Sequence, residues 1–359
     1  MKWREEEEHL LRVLRPTNSY NEIAEEFRRR YEKKLPGHRS IRSAEAIRKK
    51  CQRDDISPEK SYEDPYEERW EQIKNMQKEY FMEAESNKIG VIDPDKPLRK
   101  IITLSDIHFP FALVDEIEKA LTLHSDADVV VLNGDILDGY AFSTYGRAKR
   151  IAALKEYRAA FNLVKSISER FPQVVIVSGN HDRRPAKTLA RNDFEKEASQ
   201  ILRPDLLARI ANGEVLNEYG ECTEIIDFDN VIYQKYDSWY VRIGQTIFCH
   251  PDAYFGSWPG QTVVKLCDYF TKRLGGDKFD SVVVGHTHRI YKGVVMNKLL
   301  IEQGAMAARM PYQHKADLRF PHAMNGYAVI YQDQDGNTDF SNSRIYYLGS
   351  QLPPKKEII

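Results

Sequence analysis

Five short segments of this chain hold the side-chain types that bind cations and move protons. They read Asp106-Ile107-His108, Gly134-Asp135-Ile136-Leu137-Asp138, Gly179-Asn180-His181-Asp182, Cys249-His250 and Gly285-His286-Thr287-His288. Carboxylate and amide oxygens mixed with imidazole nitrogens make the donor set of a hydrolytic site with two divalent ions, in which one carboxylate bridges ions about 3.5–4 Å apart. In extended backbone alternate residues project to the same side, so Asp-x-His and His-x-His can reach neighbouring coordination positions. Gly134, Gly179 and Gly285 would permit the tight turns that aim these side chains.

Each segment follows a short apolar run rich in β-branched residues: Ile101–Leu104, Val129–Leu132, Val174–Val177, Thr246–Cys249 and Ser281–Val284. Helical stretches separate the runs, so the chain from residue 100 onward reads as a layered α/β or α+β domain with largely buried strands. The carboxyl ends of such strands converge on one crevice, which brings distant residues together. Taken singly, a Gly-Asp after a strand is most often a turn and a lone His is most often a surface or core residue. Five such segments, all at strand ends, are a different observation.

In that order the series DIH, GDILD, GNHD, H and GHTH resembles the calcineurin-like metallophosphoesterases, from residue 100 to about 335. The resemblance implies a four-layer sandwich, two sheets flanked by helices. It implies that Asp106, His108 and His288 hold one ion, Asn180, His250 and His286 the other, and that Asp135 bridges them. The cofactors implied are two divalent metal ions, Mn first, with Fe, Zn, Ni or Mg as alternatives. His181 would then stand beside the phosphate as general acid or transition-state stabiliser, oriented by Asp182, while a metal-bound hydroxide attacks phosphorus in line. The second segment continues GDILDG where protein serine/threonine phosphatases have an arginine, and this with Gly-His-Thr-His points to the phosphodiesterase and nuclease branch.

Loop residues near these segments are further candidates for contact with phosphate or a base: Tyr140, Tyr145, Arg147, Lys149 and Arg150 after the second, Arg183 and Arg184 after the third. Of these Arg183 is singled out for the substrate phosphate. His9, His38, His124, His314 and His322 fit no motif, and Cys249 and Cys267 read as small buried residues.

Apolar residues at three- and four-residue steps predict three short helices within residues 1–56, carrying Trp3, Leu10, Leu11 and Leu14, then Ile23, Ala24, Phe27 and Tyr31, then Ala44, Ala46, Ile47 and Cys51. Residues 1–53 hold fifteen Lys or Arg against nine Glu, with Arg39, Arg42, Arg48, Lys49, Lys50 and Arg53 in or near the third helix. This unit resembles a Myb/SANT-like helix-turn-helix module with Trp3 in its first helix. The resemblance implies DNA as partner, with Arg39, Arg42, Arg48, Lys49 and Arg53 as contacts to phosphates or guanine edges. Residues 57–99 form a polar linker containing a helix over Tyr66–Glu85, residues 100–350 the phosphoesterase domain, and residues 351–359 a tail.

The whole chain is nearly neutral, with 53 Lys and Arg against 54 Asp and Glu, so any attraction to nucleic acid has to be local. Four widely spaced cysteines favour a reducing compartment. The acidic N-terminus and the lack of an eighteen-residue apolar run suggest no signal peptide and no membrane partner, hence a cytoplasmic, soluble protein. The leading expectation is a metal-dependent phosphodiesterase or nuclease tethered to DNA by residues 1–56. The alternatives are a phosphatase or phosphodiesterase acting on nucleotides or phosphoprotein, and a DNA-binding regulator whose phosphoesterase domain is inactive.

Overall fold

The computed structural model describes residues 3, 5–15, 18–32, 42–54, 88–89, 98–143, 151–191, 203–234, 238–252, 256–310 and 323–350. The chain divides into two compact units, Met1–Phe81 and Met82–Ile359. The expected helix over Tyr66–Glu85 and the tail 351–359 lie outside the described residues.

In the first unit α1 spans Glu5–Leu14, α2 Tyr20–Glu32 and α3 Ala44–Arg53. Local chemistry explains where two of them start. Ser19 and Glu22 form a reciprocal capping box, the Ser19 amide donating to Glu22 Oε2 at 2.7 Å and the Glu22 amide to Ser19 Oγ at 3.3 Å. Ser43 caps α3 by accepting from the Ala46 amide at 3.2 Å. The apolar faces meet in one cluster of Leu10, Leu11, Ile23, Ala24, Phe27, Ile47 and Cys51, with Trp3 edge-on to Phe27 at 5.9 Å.

The second unit is a mixed α/β fold built on two six-stranded sheets. One sheet runs β14-β13-β2-β3-β4-β7, with β2 Leu98–Leu104, β3 Val129–Asn133, β4 Gln173–Val177, β7 Val231–Tyr233, β13 Met324–Asp333 and β14 Arg344–Ser350. The other runs β1-β8-β9-β10-β12-β11, with β1 Lys88–Ile89, β8 Tyr240–Ile243, β9 Thr246–Cys249, β10 Ser281–Val284, β11 Ile290–Val295 and β12 Lys298–Gln303. A two-stranded hairpin, β5 Glu214–Leu216 and β6 Cys222–Ile225, stands apart from both.

Strand alternation sorts the aliphatic residues into three layers of core. Val129, Val131, Val175 and Val177 pack with Val241, Phe248, Val283 and Ile301, filling the space between the sheets. Their neighbours Val130, Leu132, Val174 and Ile176 pack with residues of α4 (Val114–Leu123), α5 (Ala153–Ser168) and α7 (Leu206–Ala211). On the far side Ile247, Cys249, Val282 and Val284 pack on Val263, Leu266, Cys267 and Phe270 of α8 (Gln261–Leu274). Because both faces of each sheet are covered, the central strands read as continuous apolar runs. Each such buried side chain contributes about 1.5–3 kcal/mol by leaving water.

β2, β3 and β4 are mutually parallel, as are β9 and β10. The five metal-type segments follow the last residues of these five strands, so the two parallel sets deliver them to one edge of the sandwich. Among the described residues no helix is long and apolar enough to cross a membrane.

Candidate metal centre

Immediately beyond each strand the backbone turns sharply. Asp106, His108, Asp135, His286 and His288 lie at φ of 53°, 49°, 52°, 72° and 50°, a left-handed region that costs a non-glycine residue about 1–3 kcal/mol. Hydrogen bonds between the loops hold them there: the Asp106 amide donates to Gly134 O at 3.0 Å and the His108 amide to Asp135 O at 2.9 Å. Only Gly134 of the three motif glycines needs a positive φ, at 84°. The other two serve close approach. A Cβ on Gly179 would lie 2.1 Å from Asp135 Oδ1, and one on Gly285 would lie 2.0 Å from Ser105 Oγ.

The turned side chains meet. Oxygen or nitrogen atoms of Asp106, His108 and His288 all lie within 4.8 Å of one another, as do those of Asp135, His250 and His286 and those of His108, Asp135 and His181. Asp106 Oδ1 is 3.0 Å from His288 Nε2 and 3.7 Å from His108 Nε2, and the two ring nitrogens are 3.2 Å apart. On the other side Asp135 Oδ2 faces His250 Nε2 at 3.1 Å, and Asn180 Oδ1 faces His286 Nδ1 at 2.8 Å. Asp135 Oδ2 also stands 3.7 Å from His108 Nε2, between the two groups. All seven residues expected as ligands are thus gathered at one place.

The donor set fits divalent ions. His250 is fully buried, and its Nδ1 faces the Asn133 carbonyl at 2.9 Å, which fixes the proton on Nδ1 and turns the Nε2 lone pair inward. That Nε2 is buried yet satisfies no hydrogen-bond geometry, as expected of a nitrogen meant for a cation. His108 Nδ1 lies 3.2 Å from Asp138 Oδ1 as an ion-pair contact without hydrogen-bond geometry, a carboxylate beside the imidazole of the kind that orients a metal ligand.

Electrostatics agree. Burial alone would raise the Asp106 and Asp135 carboxyls, but the surrounding imidazoles, His288 and His250 for Asp106, His250 and His181 for Asp135, hold both well below the usual carboxylate range. Burial opposes charge on His108 and His250, yet the carboxylates of Asp106, Asp138 and Asp135 push them up to about 10 and about 9. Burial, with His250 alongside, presses His286 down to about 3. Buried carboxylates here pull protons onto imidazoles, and divalent ions would take the place of those protons.

His181 stands beside this cluster with Nε2 4.0 Å from Asp135 Oδ2. Its orienting carboxylate is Asp138, whose Oδ1 and main-chain O both face His181 Nδ1 at 3.1 Å. The expectation for Asp182 therefore needs correction. Asp182 points away from the ring and accepts from the amides of Leu137 and Gly179, each at 2.8 Å, tying the second loop to the third. Arg183, expected at the substrate phosphate, is buried, with Nε on the Gly179 carbonyl at 3.1 Å and Nη2 3.3 Å from Asp252. Arg184 is the arginine beside the ring, with Nη2 3.0 Å from His181 Nε2.

Asp138 and Glu156 were missed as site residues, and Arg184 stood among the loop candidates behind Arg183. Glu156 accepts from the amides of Gly139 at 2.8 Å and Tyr140 at 3.1 Å, fixing the turn after Asp138, and burial beside Asp138 pushes its carboxyl up to about 8. The available signal was a glutamate on the same stripe of α5 as Ala160 and Val164, both fully buried. Tyr140 is buried and packs edge-on against Phe111 at 5.8 Å, whereas Tyr145, Arg147, Lys149 and Arg150 lie outside the described residues. His124 is buried and faces Tyr327 Oη at 3.2 Å, and Cys249 and Cys267 are fully buried.

In the first unit the expected DNA contacts separate. Arg39 lies outside the described residues. Arg42 precedes α3 and is buried; its Nη2 bonds Glu7 at 2.7 Å and its guanidinium lies over the Trp3 ring at 4.5 Å. Lys50 is buried between Glu8 and Asp54. Arg48 and Lys49 are exposed and both approach Glu45, at 3.8 Å and 3.2 Å, while Arg53 is exposed beside Asp54 at 2.9 Å. Arg42 thus joins α1 to the start of α3 and is withdrawn from any nucleic-acid surface.

Residues 99–289 match the family model described as calcineurin-like phosphoesterase. Several solved structures are similar over most of their own length. Vacuolar protein sorting 29 from Cryptosporidium parvum is 15% identical, covering 71% of this chain and 100% of its own, with a TM-score of 0.35. A hypothetical protein from Pyrococcus horikoshii is 10% identical, covering 71% and 89%, at 0.38. An archaeal phosphodiesterase is 15% identical, covering 69% and 99%, at 0.32. No curated protein matches the chain.

Proposed function

This chain belongs to the calcineurin-like phosphoesterase family and is a metal-dependent phosphoester hydrolase; on that premise we propose that its centre is dinuclear and cleaves phosphodiesters. Asp106, His108 and His288 would hold one divalent ion, Asn180, His250 and His286 the other, with Asp135 shared. The observation that supports this most directly is the overlap of three donor groups at one place, with Asp135 common to two of them and its Oδ2 3.7 Å from His108 Nε2 and 3.1 Å from His250 Nε2. When bound, divalent ions such as Mn²⁺ supply Lewis acidity, offsetting the phosphate's charge and making water acidic enough to attack phosphorus in line near neutral pH.

The chain's own residues do the rest. Asp138 presents only acceptors to His181 Nδ1, so that nitrogen carries the proton and Nε2 is the atom that exchanges one with a leaving-group oxygen. Asp182 and Glu156, bonded to loop amides, keep the second and third loops in register with the strand ends. Ser105 donates to Asp106 Oδ2 at 2.6 Å, and the His286 amide approaches the same oxygen at 2.9 Å. Those contacts leave Asp106 Oδ1 turned toward His288.

The deciding measurement is Mn²⁺-dependent hydrolysis of bis(p-nitrophenyl) phosphate, abolished by Asp135→Asn. No turnover with Mn²⁺, Mg²⁺, Ni²⁺ or Zn²⁺ would favour a non-catalytic regulator. DNA is the narrower substrate reading. It rests on the Myb/SANT-like pattern of the first unit and on Arg48, Lys49 and Arg53, which are exposed but each beside an acidic partner. Under it, Arg48→Glu with Lys49→Glu slows cleavage of long DNA, most at low salt where phosphate contacts are strongest, and leaves bis(p-nitrophenyl) phosphate turnover intact. Equal loss on RNA, cyclic nucleotides and a phosphopeptide would point instead to damage to the protein.

A further inference from the structure

Two consecutive arginines follow the third loop, and the fold gives them different work. Arg183 is buried and committed to the Gly179 carbonyl and to Asp252. Arg184, at the start of α6 (Arg184–Arg191), turns to the site itself. Its Nη1 donates to the Asp138 carbonyl at 2.7 Å and stands 3.4 Å from Asp138 Oδ2, and its Nη2 is 3.0 Å from His181 Nε2. The residue under this side chain is Gly139, at φ 60°, where a Cβ would come within 3.2 Å of Arg184 Cβ and Cδ and 2.9 Å of the His181 carbonyl. Gly139 therefore leaves the space in which the arginine lies.

We propose that Arg184, and not Arg183, is the residue that binds the substrate's phosphate, taking its non-bridging oxygens on the guanidinium while His181 serves the leaving-group oxygen. This rests on the phosphoesterase reading and deepens it. The donor on Nη2 meets a ring nitrogen, which bears no negative charge and is a weaker partner for a guanidinium than an anion is. An anionic phosphoryl oxygen is the stronger acceptor, because charge-assisted bonds are shorter and about twice as strong as neutral ones. When such an oxygen arrives, Nη2 leaves the imidazole, and the Nε2 edge of His181 faces the leaving-group oxygen instead. The bond from Nη1 to the Asp138 carbonyl keeps the planar fork in place during that exchange, as a lysine's single ammonium would not.

The test uses the full chain and inorganic phosphate as probe, with titration calorimetry of Mn²⁺ first and of phosphate into the Mn²⁺-loaded protein second. Loss of one charge-assisted pair corresponds to about a tenfold to hundredfold change in dissociation constant. Arg184→Ala is expected to weaken phosphate binding by that factor with Mn²⁺ affinity unchanged, and Arg184→Lys to fall between the two. Arg183→Ala, if it folds, leaves phosphate binding where it was. Phosphate affinity that Arg184→Ala does not alter, or a wild type that binds no phosphate while still hydrolysing bis(p-nitrophenyl) phosphate, overturns the proposal. A matching fall in Mn²⁺ affinity also overturns it, since the arginine would then act by positioning Asp138. Failure of the phosphoesterase reading itself would appear separately, as absent turnover in the wild type.

Discussion

Asp138 is the point at which a small change should have the largest effect on the centre. Its side chain is fully buried, and Oδ1 alone faces two imidazoles, His108 Nδ1 at 3.2 Å and His181 Nδ1 at 3.1 Å, while Oδ2 faces Arg184. Burial would raise its carboxyl, but bonds from the two imidazoles hold it far below the usual range, so the group is a carboxylate wherever the enzyme works. Asp138→Asn keeps the shape and removes the charge. With the amide oxygen toward the imidazoles, its NH₂ meets the Arg184 guanidinium, donor against donor. With the amide flipped, the NH₂ faces both Nδ1 atoms and forces the His108 proton onto Nε2, the nitrogen that faces the centre.

Either orientation damages the site. Replacing an outer partner of a ligating histidine costs about 10–100-fold in metal affinity or activity, equivalent to about 1.4–2.7 kcal/mol. Because His181 loses the same partner, turnover should fall further than metal occupancy explains. Calorimetric titration with Mn²⁺, followed by kcat for bis(p-nitrophenyl) phosphate at saturating Mn²⁺, separates the two losses. A variant that binds Mn²⁺ within twofold of wild type and turns over at the wild-type rate would show that Asp138 orients neither ring.

Two further predictions concern stability. His124 is neutral in the fold because burial, with Lys100 nearby, lowers it to about 4, whereas unfolded chain takes up its proton near 6.5. The unfolded state therefore binds more protons between those values, and folding stability falls as pH drops from 6.5 toward 4, by about 3 kcal/mol over the window. His124→Phe, which can pack against the Tyr327 and Tyr346 rings, should flatten that part of the urea-midpoint profile; parallel profiles for the two proteins would contradict the assignment. Arg42→Ala removes the guanidinium that bonds buried Glu7 at 2.7 Å and should destabilise the first unit by about 3–5 kcal/mol, read as faster amide hydrogen exchange in Glu5–Leu14 and Ala44–Arg53. Unchanged exchange would return Arg42 to the list of surface cations.

The metal-type residues were legible because ligand chemistry is written in residue type, and because the β-branched runs before them mark strands that end together. The apolar residues Leu10, Leu11, Phe27 and Ile47, at three- and four-residue steps along their helices, were equally local signals. What stayed hidden depends on direction. Asp182 adjoins His181 in sequence, yet the turn aims it at the amides of Leu137 and Gly179, and Asp138, some forty residues earlier, takes the ring. Arg183 and Arg184 are neighbours at a helix start, where successive side chains diverge by about 100°, so one is committed to Gly179 and Asp252 while the other meets the centre.

Charge was misread for the same reason. The excess of Lys and Arg over Glu in residues 1–53 is a property of the chain, but the field outside the unit depends on which cations reach its surface. Glu7 and Glu8 of α1 take Arg42 and Lys50 out of that surface, and Glu45 and Asp54 stand against Arg48, Lys49 and Arg53. An ion pair at the surface still leaves its cation free to exchange partners, since such pairs are worth no more than about 1 kcal/mol, whereas a buried one does not. Any attraction of this unit for a phosphate backbone therefore has to come from Arg48, Lys49 and Arg53 among its described third-helix cations, which is why reversing the charge of Arg48 and Lys49 is a sharper test than deleting the unit.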